Sequence, residues 1–367
     1  MRFGEATSEQ LLDWDRHTVD PPGGNVYQSL AWAEQRARLG WRPRFLVADD
    51  GYRLLSLERP WRVVPGAGAY LSKGPIAAGE PAAQTAERLA AAADWLFGHG
   101  VDVVASDAEI PAAAGYARLI EAEGFRPIEE VQPSRHRVAL ALEPGRPEAA
   151  YFAAISETTR QLIRQGEKSG IQVIRWDHRP RPAGEDAGGF AEPGPGADQA
   201  RSIDELYDLL TAAAARRHFG LGSRAGFSSW TAAGLAAGLV VLLEARMPAG
   251  ELVGAATFYR HGGRLTYSHS GDRADLRRVH PGVPRLLLWR AMQLAIREAM
   301  IEFDFAGVDV RGARREPLAG EEMRGLYDFK RSFGAQWVEL TGNHERIARP
   351  WRYGLGRISG RLLGMAR

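Results

Sequence analysis

The chain has 367 residues, 45% hydrophobic and 25% charged, an ordinary globular composition at a length that favours two domains. Its 47 basic and 45 acidic residues leave a formal charge of +2, so no global basic field draws it to nucleic acid and any polyanion must be held by local patches. The absence of cysteine excludes disulfide frameworks, thiolate nucleophiles, zinc knuckles and iron–sulfur clusters.

The opening MRFGEATSEQLLDWDRH mixes charges without an apolar stretch. No run of about 18 apolar residues follows, so neither a signal peptide nor a membrane span is expected, and the protein reads as cytoplasmic. From 28 to 40, QSLAWAEQRARLG carries a helical stripe of Leu30, Trp32, Ala33 and Leu39, with Ser29 placed to cap it and Gly40 to stop it. RPRFLVADDGYRLLSLERP is a hairpin turning at Asp50-Gly51. AERLAAAADWLFGHG is a helix ending at glycine, VDVVAS a buried strand, IPAAAGYARLIEAEGF a helix and SRHRVALAL a strand.

Pro144 and Pro147 mark a break, after which AAYFAAISETTRQLIRQGEKSGIQVIRW gives helix, turn and strand. Residues 178–200 are too rich in Pro, Gly and charge to pack and are expected to form a disordered insertion. Order resumes with the helices SIDELYDLLTAAAARRH and SSWTAAGLAAGLV, the strand VLLEARM and a hairpin across His261-Gly262-Gly263. VPRLLLWRAMQLAIREAM is a strongly periodic helix with Pro284 in its first turn, and IEFDFAG is a strand. Both halves therefore run helix, hairpin, helix, strand, the order of an acyltransferase-like α/β unit.

The motifs HExxH, GxSxG and GxxxxGK[ST] do not occur, and the nine histidines show no metal-ligand spacing, so no metal is expected. RHFGLG (217–222) matches the R-x-x-G-x-G loop that cradles a coenzyme A pyrophosphate, but it follows a helix instead of opening one, so coenzyme A is not expected. Only three lysines, at 73, 168 and 330, stand among the basic residues. A GC-rich genome explains that bias, which makes each remaining lysine a candidate for work that a planar guanidinium does not do. In DFKRSFGAQWVEL, Phe329, Lys330, Phe333 and Gly334 bracket such a lysine with aromatics; the plain alternative is a helix end with a solvated lysine.

YQSLAWAEQRARLGW, YLSKGPI, ISETTRQLIRQGEKSGIQVI, ARRHFGLGSRAGF, TYSHSG, EFDFAGVD and GLYDFKRSFGAQWVELTGNHE stand in that order along the chain. In this ordered set it resembles the Fem family of peptidoglycan bridge-forming aminoacyltransferases, which move an amino acid from aminoacyl-tRNA to a muropeptide precursor. The resemblance implies an α/β (α+β) chain of two tandem domains of the acetyltransferase (GNAT) fold, 1–143 and 144–342, with 343–367 packing back on the first and no cofactor. The helical-hairpin insertion by which some members hold tRNA is missing.

Carried over residue by residue, the family's FK pair falls on Phe329 and Lys330, the lysine stabilising the oxyanion formed as an ester is attacked. A basic residue of the first helix that grips nucleotide-sugar phosphates falls on Arg36, and a second phosphate ligand on Arg224, with Arg217 as the register alternative. An acid at a strand end falls on Asp107, to orient or deprotonate the attacking amine, or simply to cap a turn. Lys73 falls in the basic-Gly-Pro turn lining the acceptor cleft, and Tyr267 and Tyr327 are candidate hydrogen-bonders or core tyrosines.

The implied partners are aminoacyl-tRNA as donor and a UDP-linked or lipid-linked muropeptide as acceptor, handled by a monomer. A small amine of natural-product biosynthesis is the alternative acceptor, and a non-catalytic envelope scaffold the alternative class. Residues 346–367 hold six arginines and no acid, a tail suited to tRNA phosphates, to an anionic membrane surface or simply to water.

Overall fold

Apolar spacing of three and four places one face of each long helix inward. Helix Ala82–Gly98 buries Leu89, Ala92, Ala93 and Leu96 and stops at His99, before Gly100 in the left-handed region. Ser29 caps helix Leu30–Arg38, its hydroxyl accepting the Trp32 N–H at 3.0 Å. Helix Val283–Arg297 carries Pro284 in its first turn and buries Leu286, Leu287, Met292 and Leu294.

The structure, a computed structural model, describes residues 1–362 apart from 134, 180–188, 195, 218–219 and 309–314; the side chains of 217 and 357–362 lie outside the description. The described residues form two compact units, the first built from those of 1–137, 315–316 and 338–362, the second from those of 138–308 and 317–337.

In chain order the first six strands are β1 (Phe3–Glu5), β2 (Arg42–Ala48), β3 (Arg53–Pro60), β4 (Ala67–Leu71), β5 (Val101–Ser106) and β6 (Arg126–Pro127). The next seven are β7 (His136–Ala141), β8 (Gln172–Trp176), β9 (Val240–Arg246), β10 (Leu252–His261), β11 (Arg264–Asp272), β12 (Glu302–Asp304) and β13 (Gln336–Glu339), and the last is β14 (His344–Ile347). One sheet has the order β1-β2-β3-β4-β5-β14-β6, the other β13-β7-β12-β11-β10-β9-β8.

Each sheet contains a parallel pair joined through a helix, β4 with β5 through Ala82–Gly98 and β11 with β12 through Val283–Arg297. The registers end at Leu71↔Ser106 and at Thr266↔Asp304. Residues just past the carboxyl ends of parallel neighbours are where open α/β sheets present their chemistry. Here those positions carry Ser72, Lys73 and Asp107 in the first unit and the 305–307 segment in the second.

The 178–200 stretch departs from its expectation within the described residues. Phe190 is buried, and Ala191 exchanges backbone hydrogen bonds with Val173 and Arg175 of β8. A single aromatic supplies enough apolar area to anchor the end of a segment whose mean composition is polar. The 180–188 part of that stretch lies outside the described residues.

Candidate functional site

In the first unit, the turn after β4 and the end of β5 bring Lys73 and Asp107 together. Lys73 Nζ lies 3.1 Å from Asp107 Oδ2 and 3.7 Å from Glu109 Oε1, and donates to the Pro133 carbonyl at 2.9 Å. The Lys73 backbone N–H donates to Asp107 Oδ1 at 2.6 Å. Gln132 donates to Asp107 Oδ2 at 2.9 Å and to the Ser72 hydroxyl at 3.1 Å. Lys73 holds φ at 53°, a left-handed backbone that costs a non-glycine residue about 1 kcal/mol or more and that these contacts hold in place.

Both groups are sealed, Asp107 at 0% and Lys73 at 4% exposure. Burial pulls the lysine down, but Asp107, Glu109 and Glu130 together push it above its ordinary value, so it stays an ammonium. The Asp107 oxygens, expected to orient or deprotonate an amine or to cap a turn, are engaged by the Lys73 ammonium, the Lys73 backbone amide and Gln132. Burial first and Asp107 second hold the Tyr70 hydroxyl well above the usual phenol range.

Arg36 has the opposite surroundings. Its guanidinium lies 5.3 Å from the Trp32 ring and 5.0 Å from the Trp41 ring, and Arg59 lies 5.5 Å from that same Trp41. Among the described residues no carboxylate pairs with Arg36, and its Nε is sealed without a partner. Burial, then the neighbouring Arg59, lower its pKa. The two guanidiniums thus share the Trp41 ring and repel one another.

The second unit closes around Lys330, on helix Arg324–Arg331. Its ammonium is 3% exposed and donates to three carbonyls: Phe305 at 2.5 Å, Ala306 at 3.1 Å and Gly307 at 2.5 Å. Asp304 shapes the same turn, accepting the Ala306 N–H at 2.8 Å and the Thr266 hydroxyl at 3.2 Å, and Ala306 holds φ at 57°. Burial lowers the Lys330 pKa to about 8, with Asp304 opposing. An ammonium has three N–H donors, and all three are used. Lys330 is therefore the hub of the segment after β12, and an oxyanion would have to displace a carbonyl to reach it.

Phe329 packs at 5.8 Å against Phe333, which packs at 5.3 Å against Phe305, and Arg285 lies 5.2 Å over the Phe329 ring. Tyr327 is a core residue, 1% exposed and edge-on to Trp337. Tyr267, on β11, is half-buried with its hydroxyl against Ser270. Arg224, expected as a phosphate ligand, opens helix Arg224–Ala236 on the surface, where it pairs with the exposed Asp208 and Asp204. The side chain of Arg217 lies outside the described ones.

Sequence reading missed Gln132, Glu109, Arg59, Asp304 and Arg285. The first four are recruited across loops and strands with no local pattern to mark them. Arg285 does carry a signal, a cation set against the apolar run Leu286-Leu287-Leu288 in the first turn of a buried helix.

Residues 155–331 match the model of the acetyltransferase (GNAT) domain. The crystal structure of FemX superposes over 97% of this chain and 99% of its own, with a TM-score of 0.76 at 15% identity. The chain has the FemX fold. That is the tandem acetyltransferase-like architecture the resemblance implies, and the element order agrees with it. The structure of L-PGS from Bacillus licheniformis matches over 98% of this chain and 97% of its own, with a TM-score of 0.53 at 11% identity. No curated protein matches the chain in sequence. Among the described residues no helix is long and apolar enough to cross a membrane.

Proposed function

We propose that the protein is an aminoacyltransferase that moves an amino acid from aminoacyl-tRNA to the stem-peptide amine of a nucleotide- or lipid-linked muropeptide. The observation that carries this reading is the likeness to FemX along nearly the full length of both chains, joined to the uncompensated cation at Arg36. The balance is simple: the neutral amine nitrogen attacks the ester carbonyl, the C–N bond forms, and the bond to the ribose oxygen breaks. The amine proton ends on that oxygen, which leaves as a hydroxyl.

In this reading Arg36, with Arg59 beside it, grips the acceptor's diphosphate. Asp107 holds Lys73 as a rigid wall of the acceptor site. In the second unit, Lys330 fixes the 305–307 segment through its three carbonyl contacts. The reading extends to a peripheral contact with an anionic membrane. What supports that contact is helix Pro350–Leu362, where Trp351 and Leu355 stand exposed beside Arg352.

The test is transfer of labelled amino acid from charged tRNA to UDP-linked muramyl pentapeptide and to lipid-linked precursor. Label in either product supports the reading. Label appearing only in a small amine would move the acceptor to natural-product chemistry, and no transfer at all would leave a scaffold.

A further inference from the structure

Helix Glu157–Lys168 of the second unit has two unlike faces. Thr159, Ile163 and Gly166 are buried, Gly166 against the Leu286 side chain of helix Val283–Arg297, so the inner face is engaged within the fold. The outer side repeats a cation every four residues, at Arg160, Arg164 and Lys168, with Gln161 and Gln165 between them. Residues four apart share a helix face, and each step advances about 6 Å along the axis. Of the three lysines, Lys73 and Lys330 are buried, and Lys168 alone is exposed.

The acids of this helix leave two of these cations without a counter-charge. Glu157 pairs with Arg160, and Glu167 pairs with Arg290 at 3.1 Å. Among the described residues no carboxylate lies within ion-pair distance of Lys168 or of the exposed Arg164, whose guanidinium stands 5.4 Å from the Phe152 ring. A third such cation, Arg331, stands at the opposite end of the row. Its neighbour Ser332 accepts the Ser156 N–H at 2.9 Å through its carbonyl and the Thr159 hydroxyl at 2.9 Å through its own, which sets Arg331 beside the first turn of the helix.

A row of exposed, unpaired cations attracts a polyanion with regularly spaced charge, and the side chains around it decide which. A helix that lies on a lipid surface shows apolar side chains beside its cations. Helix Pro350–Leu362 does so with Trp351 and Leu355. Helix Glu157–Lys168 exposes no large apolar side chain, and its cations alternate with glutamines, which hydrogen-bond phosphate oxygens and sugar hydroxyls. Such contacts follow a nucleic-acid backbone and not a base sequence.

We infer that this face, from Arg331 past Arg164 to Lys168, docks the ribose–phosphate backbone of RNA. The inference rests on the transferase reading only for the identity of that RNA, the body of the donor tRNA.

The test uses the full chain and measures its binding to an unfractionated pool of deacylated tRNA from about 50 to 200 mM salt. Arg164→Gln with Lys168→Gln is expected to weaken binding by about tenfold or more at the low-salt end and to flatten the slope of log affinity against log salt by about 1 to 2. Adding Arg331→Gln should weaken it further. The charge-preserving exchange, Arg164→Lys with Lys168→Arg, should bind as the wild type does. Arg118→Gln with Arg201→Gln removes two exposed charges elsewhere and should change little. These side chains are exposed, so every variant should melt with the wild type.

The inference is overturned by a wild type that does not bind RNA, by equal binding of the wild type and the Arg164→Gln, Lys168→Gln chain, or by an equal loss in the Arg118→Gln, Arg201→Gln control. Binding to phosphatidylglycerol vesicles that falls with Arg164→Gln and Lys168→Gln while RNA binding holds would make the face a membrane contact instead. Transfer assays separate the two claims. Transfer whose KM for charged tRNA ignores Arg164 and Lys168 sinks this inference alone, whereas RNA binding that depends on them without transfer to either acceptor sinks the transferase reading alone.

Discussion

Lys330 Nζ lies 2.5 Å from the carbonyl oxygen of Phe305, which sits 25 residues earlier in the chain, just past the end of β12. The ammonium ties helix Arg324–Arg331 to the 305–307 turn, whose left-handed Ala306 has no glycine to ease it. Lys330→Met removes the donor for three carbonyls. We expect a loss of about 2–4 kcal/mol in urea unfolding, the range for orphaning buried polar groups. An unchanged unfolding midpoint would show that the carbonyls do not depend on the lysine.

The same lysine sets a pH dependence. Its pKa is about 8 in the fold against an ordinary 10.5. Between those values the unfolded chain holds the proton that the folded chain has released, so stability must rise with pH across that window. Below pH 8 both states are protonated and the cost of burying the charge is constant. Wild type should thus gain on Lys330→Met as pH climbs from 8 toward 10, while transfer that depends on the ammonium falls. Parallel stability curves for the two proteins would contradict this.

Lys73 and Asp107 form a buried pair, and removing one partner strands the other. Asp107→Asn should cost about 3–5 kcal/mol. Lys73→Met should cost less, because Gln132 and the Lys73 backbone amide still serve the carboxylate. The double variant should lose less than the two single losses added, measurable as a coupling energy in a double-mutant cycle. Strict additivity would mean that the two groups do not interact.

Arg36 and Arg224 should part company in function. Arg36→Ala should weaken binding of a UDP-linked ligand by about tenfold or more with little change in melting temperature, since it leaves no carboxylate unpaired. Arg224→Ala should leave transfer unchanged, because its partners are exposed aspartates. Loss of transfer in Arg224→Ala would restore it to the phosphate site.

The architecture was legible where local chemistry and tertiary packing agree. Ser29 caps its helix, Asp50-Gly51 turns the β2–β3 hairpin, and the Pro284 helix buries the stripe its spacing announced. The site was legible only in part. Phe329 and Lys330 stand out in sequence, but nothing local shows that three carbonyls would consume the lysine's donors, because those carbonyls come from a turn shaped by Asp304. Asp107 reads as an acid at a strand end, and the lysine that neutralises it arrives from a separate turn. Phe190 illustrates the limit of composition: one ring can anchor a segment whose average is polar.

Transfer of radiolabelled amino acids from a pool of verified charged tRNAs to UDP-linked muramyl pentapeptide, run beside lipid-linked precursor, tests the central claim most directly. The account predicts label in one of these muropeptides, strongly reduced by Arg36→Ala and untouched by Arg224→Ala. A folded protein that transfers nothing to either acceptor from any charged tRNA would contradict it.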